Sequence, residues 1–199
     1  MSETLRVPGP RDVHATLSNS DSIAAVVACP PHPQMGGDRH DSRLRAVDDA
    51  LGDRSIACLR FDYGPWDGGR AEVTDARSAL AWARENFETV GLFGYSFGGA
   101  VALRAAADES DDGTPPATLS LLAPAGTLAG EPTADAVDAV ACPVQILYGE
   151  RDNTVDSVPV AERARARGHT VETLPADHFF AGQQQRVAES VAAFVVEST

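Results

Sequence analysis

The sequence contains no lysine, and its 16 basic residues, all arginine, are outnumbered by 29 acidic residues, so the formal net charge is −13. Proteins that bind nucleic acid through their surface need a positive footprint to neutralise phosphates. The composition therefore argues against a nucleic-acid partner. Two explanations fit the missing lysine: a GC-rich coding bias, or adaptation to molar salt, in which an acidic surface stays hydrated and its self-repulsion is screened. We favour salt adaptation and expect a halophilic protein.

Long apolar runs are also missing. No run approaches the roughly 20 residues that a membrane-spanning helix needs. The amino terminus, MSETLRVPGPRD, lacks both the basic region and the apolar region of a secretory signal. We therefore expect a cytoplasmic protein with no membrane partner.

Cysteine is scarce and its number is odd: Cys29, Cys58 and Cys142 each lie in or beside an apolar run, and no CxxC pair occurs. This usage is typical of reduced, buried thiols in a reducing compartment. It argues against a disulfide framework.

Short apolar runs alternate along the chain with segments of helical spacing. The runs cover residues 23–28, 56–61, 90–94, 119–122, 144–148 and 171–174. Near-continuous apolar runs of this length are typical of strands buried on both faces of a parallel sheet. Between two of them, Val73, Ala76 and Leu80 place one apolar stripe on a helix. We predict an α/β fold with a mostly parallel central sheet and helices on both of its faces.

The first 20 residues do not follow this alternation. Residues 5–7 and 13–17 predict an antiparallel hairpin at the sheet edge, around the sequence Pro-Gly-Pro at 8–10. No linker or composition shift divides the rest of the chain. We therefore expect a single domain over residues 1–199, in keeping with its length.

The strongest chemical signal is the sequence GYSFGG at residues 94–99, between a buried run and an alanine-rich helix. A serine on such a tight strand-to-helix turn is exposed at the carboxyl end of the sheet, and the flanking glycines avoid steric collisions. The helix amino terminus also favours a developing oxyanion. These features indicate that Ser96 is a nucleophile.

A nucleophilic serine needs a base and a group that orients the base. Asp152 follows the run 144–148 and His178 follows the run 171–174, so Ser96, Asp152 and His178 each lie just past a predicted strand. We predict that these three residues form a catalytic triad. Glu150 and Asp156 are the alternative candidates for the acid.

Backbone N–H groups near the serine are expected to bind the oxyanion. Phe97, directly after the nucleophile, is expected to supply one donor. The second is expected from the loop PPHPQMGG at residues 30–37. Pro33 has no N–H, so Gln34 is the predicted donor, with Met35 as the alternative.

Residues around this loop and elsewhere do not indicate a metal or cofactor. His32, Asp38 and His40 match no familiar zinc spacing. Neither GxGxxG nor GxxxxGK[ST] occurs, which argues against a nucleotide-binding loop. We expect no metal and no organic cofactor.

The chain resembles the α/β-hydrolase superfamily, and more narrowly its small, capless dienelactone-hydrolase-like members. The resemblance extends over roughly residues 22–197 and is carried by PHPQMGG (31–37), RFDYGPWDGG (60–69), GYSFGG (94–99), GERD (149–152) and ADHFF (176–180). It implies a sheet of about 6–8 strands. No stretch between the predicted strands is long enough for a cap domain. Dienelactone hydrolases proper use a cysteine nucleophile, whereas this chain has Ser96, so lactone specificity does not transfer.

The resemblance implies a serine hydrolase that cleaves a carboxylic ester, or a related acyl bond, of a small substrate through an acyl-enzyme. A thioesterase, acyltransferase or peptidase with the same triad is the alternative, because these enzymes differ in pocket shape rather than in the triad. A non-catalytic binding protein of the same fold is a further alternative. The oligomeric state is left open between monomer and homodimer.

Four aromatic or acidic residues near the motifs have simpler interpretations. Asp62 is expected to have a structural role in its loop, and Trp66 is expected to pack over the rim of the site, with substrate contact as the alternative. Phe179 and Phe180 are expected to anchor the core, with a clamp on the substrate as the alternative.

Overall fold

The structure of the chain, a computed structural model, describes residues 2–198. Its strands are β1 (Ser2–Val7), β2 (Val13–Ser18), β3 (Ala24–Cys29), β4 (Ala57–Phe61), β5 (Thr89–Tyr95), β6 (Leu119–Leu122), β7 (Thr127–Leu128), β8 (Glu131–Pro132), β9 (Val144–Gly149) and β10 (Thr170–Leu174). Its α-helices are α1 (Ser42–Gly52), α2 (Arg70–Asn86), α3 (Phe97–Asp111), α4 (Val158–Ala166) and α5 (Gln184–Ser198). Two short 3₁₀ segments cover Pro33–Met35 and Ala134–Ala139.

Eight strands form one sheet in the order β1-β2-β4-β3-β5-β6-β9-β10. From β4 to β10 all neighbouring strands are parallel, and only the pairings of β1 with β2 and of β2 with β4 are antiparallel. Each of the six predicted apolar runs lies within or overlaps a strand of this sheet. The predicted α/β class with a mostly parallel sheet is therefore confirmed.

The two faces of the sheet are covered by different helices, as the side-chain alternation of a strand requires. Along β3, Val26 and Ala28 pack with residues of α1 and α5. Ala25 and Val27 pack on the other face with residues of α2 and α3. Both faces are apolar because both are buried, which explains the continuous hydrophobic runs in the sequence.

The parallel strands place their following loops at one edge of the sheet, and this edge carries the site. Because the strand order is fixed, the loops after β3 and β4 lie on one side of β5, and those after β6, β9 and β10 lie on the other. Within residues 2–198 no insertion builds a cap over this edge; the small hairpin of β7 and β8 is the main addition there. No helix among these residues has the length and apolar character needed to cross a membrane.

The amino-terminal hairpin joins the sheet of its own chain. β1 and β2 pair from Ser2 with Ser18 to Val7 with Val13. β2 then pairs with β4 through Ala15 and Phe61. The turn of the hairpin brings Arg11 to the loop after β4, where its guanidinium contacts the carbonyl oxygen of Pro65.

All three cysteines are buried and unpaired. Burial raises the pKa of the Cys142 thiol to about 12, and it raises the pKa of Cys29 and of Cys58 as well. The thiols are therefore protonated near neutral pH and are poor nucleophiles.

Candidate active site

Ser96 lies on the tight turn between β5 and α3, with φ 57° and ψ −119°. A non-glycine residue with positive φ is strained, and such strain is frequent at functional sites. A Cβ on Gly94 would lie 2.1 Å from the carbonyl oxygen of Gly98, and a Cβ on Gly98 would lie 2.3 Å from that of Cys29. Only glycine therefore fits at these two positions, which explains the motif around Ser96.

His178 and Asp152 come to Ser96 from the loops after β10 and β9. His178 Nε2 lies 2.9 Å from Ser96 Oγ, and His178 Nδ1 lies 2.7 Å from Asp152 Oδ2. Asp152 Oδ1 accepts the backbone N–H groups of Thr154 and Val155 at 2.8 and 3.1 Å. One carboxylate oxygen is thus held by the backbone while the other faces the imidazole.

The three side chains are shielded from solvent. Ser96 is 8% exposed, and the side chains of His178 and Asp152 are 6% and 3% exposed. Tyr95 stacks on the His178 ring at 5.3 Å and donates its hydroxyl hydrogen to the His178 carbonyl oxygen at 3.0 Å. Burial raises the pKa of Tyr95, so its hydroxyl remains a donor and fixes the loop of the histidine.

The alternative acids are engaged elsewhere or exposed. Asp156 Oδ1 accepts the N–H of Val158 at 3.2 Å, and Glu150 is exposed in the turn after β9. Among the described residues 2–198, Asp152 is the only acidic side chain that forms a hydrogen bond or ion pair with the His178 ring.

The side chains of the other two histidines near the site, His32 and His40, do not form a metal site with acidic side chains. Asp38 accepts the backbone N–H of His40 at 2.7 Å, and His32 Nδ1 accepts that of Gln34. No group of three or more His, Cys, Asp or Glu side chains within residues 2–198 is arranged to hold a metal ion.

The loop after β3 forms a 3₁₀ turn over Pro33–Met35. The N–H groups that were predicted to bind the oxyanion make hydrogen bonds within this turn. Gln34 N–H donates to His32 Nδ1 at 3.2 Å, and Met35 N–H donates to the His32 carbonyl oxygen at 3.0 Å. Burial lowers the pKa of His32, which favours the neutral ring whose Nδ1 can accept. The N–H groups of Gln34 and Met35 are therefore both occupied and are not free to bind an oxyanion.

The N–H of His32 itself finds no acceptor among residues 2–198, and neither does that of Phe97. The two residues lie together, because their rings are 4.8 Å apart between centroids. The chain just before His32 also packs on the start of α3, where a Cβ on Gly98 would lie 2.3 Å from the Pro30 carbonyl oxygen. Sequence reasoning did not weigh the His32 N–H, because the turn that engages Gln34 depends on the His32 side chain.

Ser96 and His178 open into a cavity of about 640 Å³. Its large apolar side chains are Met35, Trp66, Phe97, Leu128, Val155 and Phe179. The acidic and arginine side chains on its wall are Asp41 and Arg43, which form an ion pair with each other. The Arg43 guanidinium also lies 4.6 Å from the centre of the Tyr95 ring. The cavity therefore combines an apolar lining with a charge pair that is internally balanced.

Trp66 lies over the cavity in the loop after β4, with its ring 4.5 Å from that of His32 and 5.5 Å from that of Phe97. Buried carboxylates hold this loop. Glu72 accepts the N–H groups of Asp67 and Gly69, both at 2.8 Å.

A second buried carboxylate supports the same loop from α2. Asp75 accepts the N–H of Gly64 at 2.9 Å and pairs with Arg11 at 3.0 Å. Burial raises the pKa of Asp75, and the Gly64 N–H and the Arg11 charge oppose that shift. In the sequence, the only signal that this loop is supported from α2 is the presence of Glu72 and Asp75 in the first two turns of the helix.

The remaining rim residues differ in outcome. Asp62 accepts the backbone N–H of Arg39 at 2.7 Å and pairs with its guanidinium, which is the structural role expected. Phe180 is fully buried in the core, but Phe179 is 55% exposed at the mouth of the cavity, and its ring lies 5.5 Å from that of His178. The expectation that both phenylalanines anchor the core is therefore wrong for Phe179, because the two neighbouring side chains point in opposite directions.

A comparison with models of known protein families matches residues 65–196 to the dienelactone hydrolase family. The matched segment covers well over half of the chain and contains Ser96, Asp152 and His178. It begins after β4, so it does not include the loop of His32. No curated protein matches the chain.

Several solved structures share the fold at low sequence identity. An α/β serine hydrolase homologue from Coxiella burnetii has 24% identity and a TM-score of 0.81, with 96% of each chain covered. An α/β serine hydrolase without a lid from Xanthomonas campestris has 24% identity and a TM-score of 0.81, with 98% of this chain and 94% of that chain covered. Est1E from Butyrivibrio proteoclasticus has 18% identity and a TM-score of 0.81, with 98% of each chain covered. At these identities the likeness shows the α/β-hydrolase fold.

Proposed function

Because this chain belongs to the dienelactone hydrolase family and is an α/β-hydrolase of the carboxylic ester hydrolase type, we propose that it cleaves a small-molecule ester through a triad of Ser96, His178 and Asp152. The observation that carries the proposal is the unbroken chain of contacts from Ser96 Oγ to His178 Nε2, at 2.9 Å, and from His178 Nδ1 to Asp152 Oδ2, at 2.7 Å. These are the distances that proton transfer requires.

In the acylation step, Ser96 Oγ attacks the ester carbonyl carbon while His178 Nε2 takes the hydroxyl proton. Asp152 holds Nδ1–H and stabilises the positive imidazolium. The tetrahedral intermediate collapses when the bond from the carbonyl carbon to the alcohol oxygen breaks. His178 then gives its proton to that oxygen, so the alcohol leaves neutral and the acyl group stays on Ser96.

In the deacylation step, water takes the position that the alcohol has left. His178 removes a proton from the water, the resulting hydroxide attacks the acyl carbon, and the bond to Ser96 Oγ breaks. Ser96 regains the proton from His178. The acid is released, and no redox partner or further co-reactant is needed.

The negative oxygen of both intermediates is proposed to accept the N–H groups of Phe97 and His32. Both donors are free of other acceptors within residues 2–198, whereas Gln34 N–H is held by His32 Nδ1. His32 therefore replaces Gln34 as the proposed second donor. Loss of one such donor typically costs about 100-fold in rate.

The test is hydrolysis of p-nitrophenyl acetate and p-nitrophenyl octanoate by the parent and by Ser96→Ala in concentrated KCl. We expect turnover by the parent, none above background by the variant, and covalent labelling of the parent alone by a fluorophosphonate. A folded parent that neither turns over esters nor becomes labelled would favour a non-catalytic binding protein. Faster turnover of a matched thioester or amide than of the ester would favour a thioesterase or peptidase.

We also propose that the protein is halophilic, on the basis of its net charge of −13. Diluting KCl from about 3 M to about 0.1 M lengthens the screening distance from a few ångströms to about 10 Å, so acidic side chains repel one another more strongly. We expect the thermal unfolding midpoint to fall on dilution, as followed by circular dichroism. A midpoint that does not change with KCl would leave coding bias as the explanation.

A further inference from the structure

Ser96 lies between two differently built sides of the cavity. The His178 side consists of the loops after β9 and β10, with His178 and Phe179. The Trp66 side consists of the loops after β3 and β4, with His32 and Trp66. Because β5 lies between β3 and β6 in the sheet, these sides lie in opposite directions from Ser96 along the sheet edge.

The leaving oxygen of the alcohol must receive a proton, and this requirement restricts where the alcohol group can lie. In the proposed reaction the leaving oxygen takes its proton from His178 Nε2, so the leaving oxygen must lie within hydrogen-bond distance of that atom. The group attached to this oxygen then lies on the His178 side. There the Phe179 ring makes an edge contact with the His178 ring at 5.5 Å and is 55% exposed.

The acyl group extends from the carbonyl carbon away from the alcohol. On the Trp66 side the indole contacts the rings of His32 and Phe97, the two residues whose N–H groups are the proposed oxyanion donors. An acyl chain whose carbonyl oxygen is held by these donors starts beside this aromatic cluster. Trp66 is 37% exposed, so an apolar face remains available to the chain.

We propose that Trp66 borders the acyl group and Phe179 borders the alcohol group of an ester with uncharged, apolar groups on both sides of its carbonyl. This division rests on the proposed function of Ser96 and His178. The preference for uncharged groups follows from the lining of the cavity, where Asp41 and Arg43 are paired with each other. An apolar substituent that covers an aromatic side chain gains from burial, whereas a charged one would lose hydration without a free partner.

Two ester series test the division. In the acyl series, p-nitrophenyl octanoate is compared with p-nitrophenyl acetate; in the alcohol series, 2-phenylethyl acetate is compared with ethyl acetate. We expect Trp66→Ala to lower the octanoate-to-acetate ratio of kcat/KM about tenfold and to leave the alcohol ratio unchanged. Phe179→Ala is expected to lower the phenylethyl-to-ethyl ratio by a similar factor and to leave the acyl ratio unchanged.

The second step of the reaction gives a sharper readout. The alcohol has left before deacylation, so Phe179→Ala is expected to change the breakdown rates of the octanoyl-enzyme and the acetyl-enzyme by the same factor in burst kinetics with the two p-nitrophenyl esters. Trp66→Ala is expected to change the ratio of these two breakdown rates. A merely structural role for either residue would change both steps and both series together.

Ile23→Ala and Val196→Ala are the matched controls. Ile23 is 72% exposed and Val196 is 49% exposed, and neither side chain is part of the cavity wall. Both are expected to leave the two ratios unchanged. The conservative variants Trp66→Phe and Phe179→Leu are expected to restore most of the lost selectivity. The division is overturned if the parent is labelled and active and either alanine variant changes the ratios of both series by the same factor. A parent without labelling or turnover would instead overturn the proposed function.

Discussion

The His178 side and the Trp66 side of the cavity are positioned by different means. On the His178 side, Asp152 lies three residues past β9 and His178 four residues past β10, and a hydrogen bond of 2.7 Å joins the imidazole directly to the carboxylate. On the Trp66 side, the tryptophan stands five residues beyond β4, in a loop whose N–H groups are held by buried carboxylates of α2.

The difference shows what each side depends on. The His178 side depends on strand order and on a few contacts at the strand ends. The Trp66 side depends on Glu72 and Asp75, which are 0% and 1% exposed and need their backbone partners to offset the cost of burial. Damage to the first side should therefore have the largest effect on chemistry, and damage to the carboxylates of the second should reduce stability and selectivity.

The largest effect is expected from Asp152→Asn on the His178 side. The variant retains the shape of the side chain but loses the charge that stabilises the imidazolium, so kcat is expected to fall by about 10⁴-fold. The measurement is steady-state hydrolysis of p-nitrophenyl acetate. Glu150→Gln and Asp156→Asn are the matched controls and should leave kcat unchanged. Equal losses in a control and in Asp152→Asn would show that the wrong acid has been assigned.

A smaller catalytic effect is expected from His32 on the Trp66 side. His32 has φ −58°, a value that proline adopts, so His32→Pro removes the N–H with little change of backbone conformation. His32→Ala removes the same side chain but keeps the N–H. We expect kcat of His32→Pro to be about 100-fold below that of His32→Ala. Similar kcat values for the two variants would exclude the His32 N–H as an oxyanion donor.

A stability effect is expected from Glu72→Gln. The amide has one acceptor oxygen for the two N–H groups that the carboxylate holds, so one of these N–H groups loses its acceptor and faces the amide nitrogen, at a cost of about 2 kcal/mol in the free energy of unfolding. Chemical unfolding measures this loss. Glu85→Gln, an exposed change on the same helix, should cost less than about 0.5 kcal/mol.

The same variant separates the two sides of the cavity. Glu72→Gln is expected to keep fluorophosphonate labelling of Ser96, because Ser96 and His178 are held by other strands, while the fluorescence of Trp66 shifts as its loop loosens. Loss of labelling in a folded variant would mean that the two sides are not independent.

The sequence was sufficient for the features that depend on local signals. The buried strands are visible as apolar runs, and the glycines at 94 and 98 mark the turn of Ser96, so the parallel sheet was predicted correctly. Asp152 and His178 were predicted to lie together because parallel strands end at one edge, and the structure places them within hydrogen-bond distance of each other.

Other features depend on contacts between distant residues and were out of reach. The turn that engages Gln34 forms because the His32 ring accepts its N–H, and a run of prolines does not reveal that bond. The support of the Trp66 loop by Glu72 resembles any acidic residue at a helix start. Phe179 and Phe180 have the same chemistry in the sequence, and only the path of the loop, with Phe180 at φ 52°, separates the exposed ring from the buried one.

The smallest expected effect concerns pH and again compares the two sides. Burial lowers the pKa of His32 in the folded protein below its ordinary value near 6.5. The unfolded chain therefore binds more protons than the folded one in the interval below pH 6.5, so the His32 contribution to stability is present above that pH and is lost as the pH falls through the folded-state pKa. Protonation at Nδ1 would also remove the acceptor of the Gln34 N–H.

His32→Asn isolates this contribution, because an asparagine oxygen can accept the same N–H without titrating. Between pH 7.5 and pH 5.5, at constant salt, the parent is expected to lose more unfolding free energy than the variant, by about 0.5 kcal/mol at most, since the ring is partly exposed. Urea unfolding at both pH values gives the difference, and groups common to both proteins cancel in it. Equal losses in the parent and in His32→Asn would show that His32 does not titrate differently on folding, and that its ring contributes nothing to the pH dependence of stability on the Trp66 side.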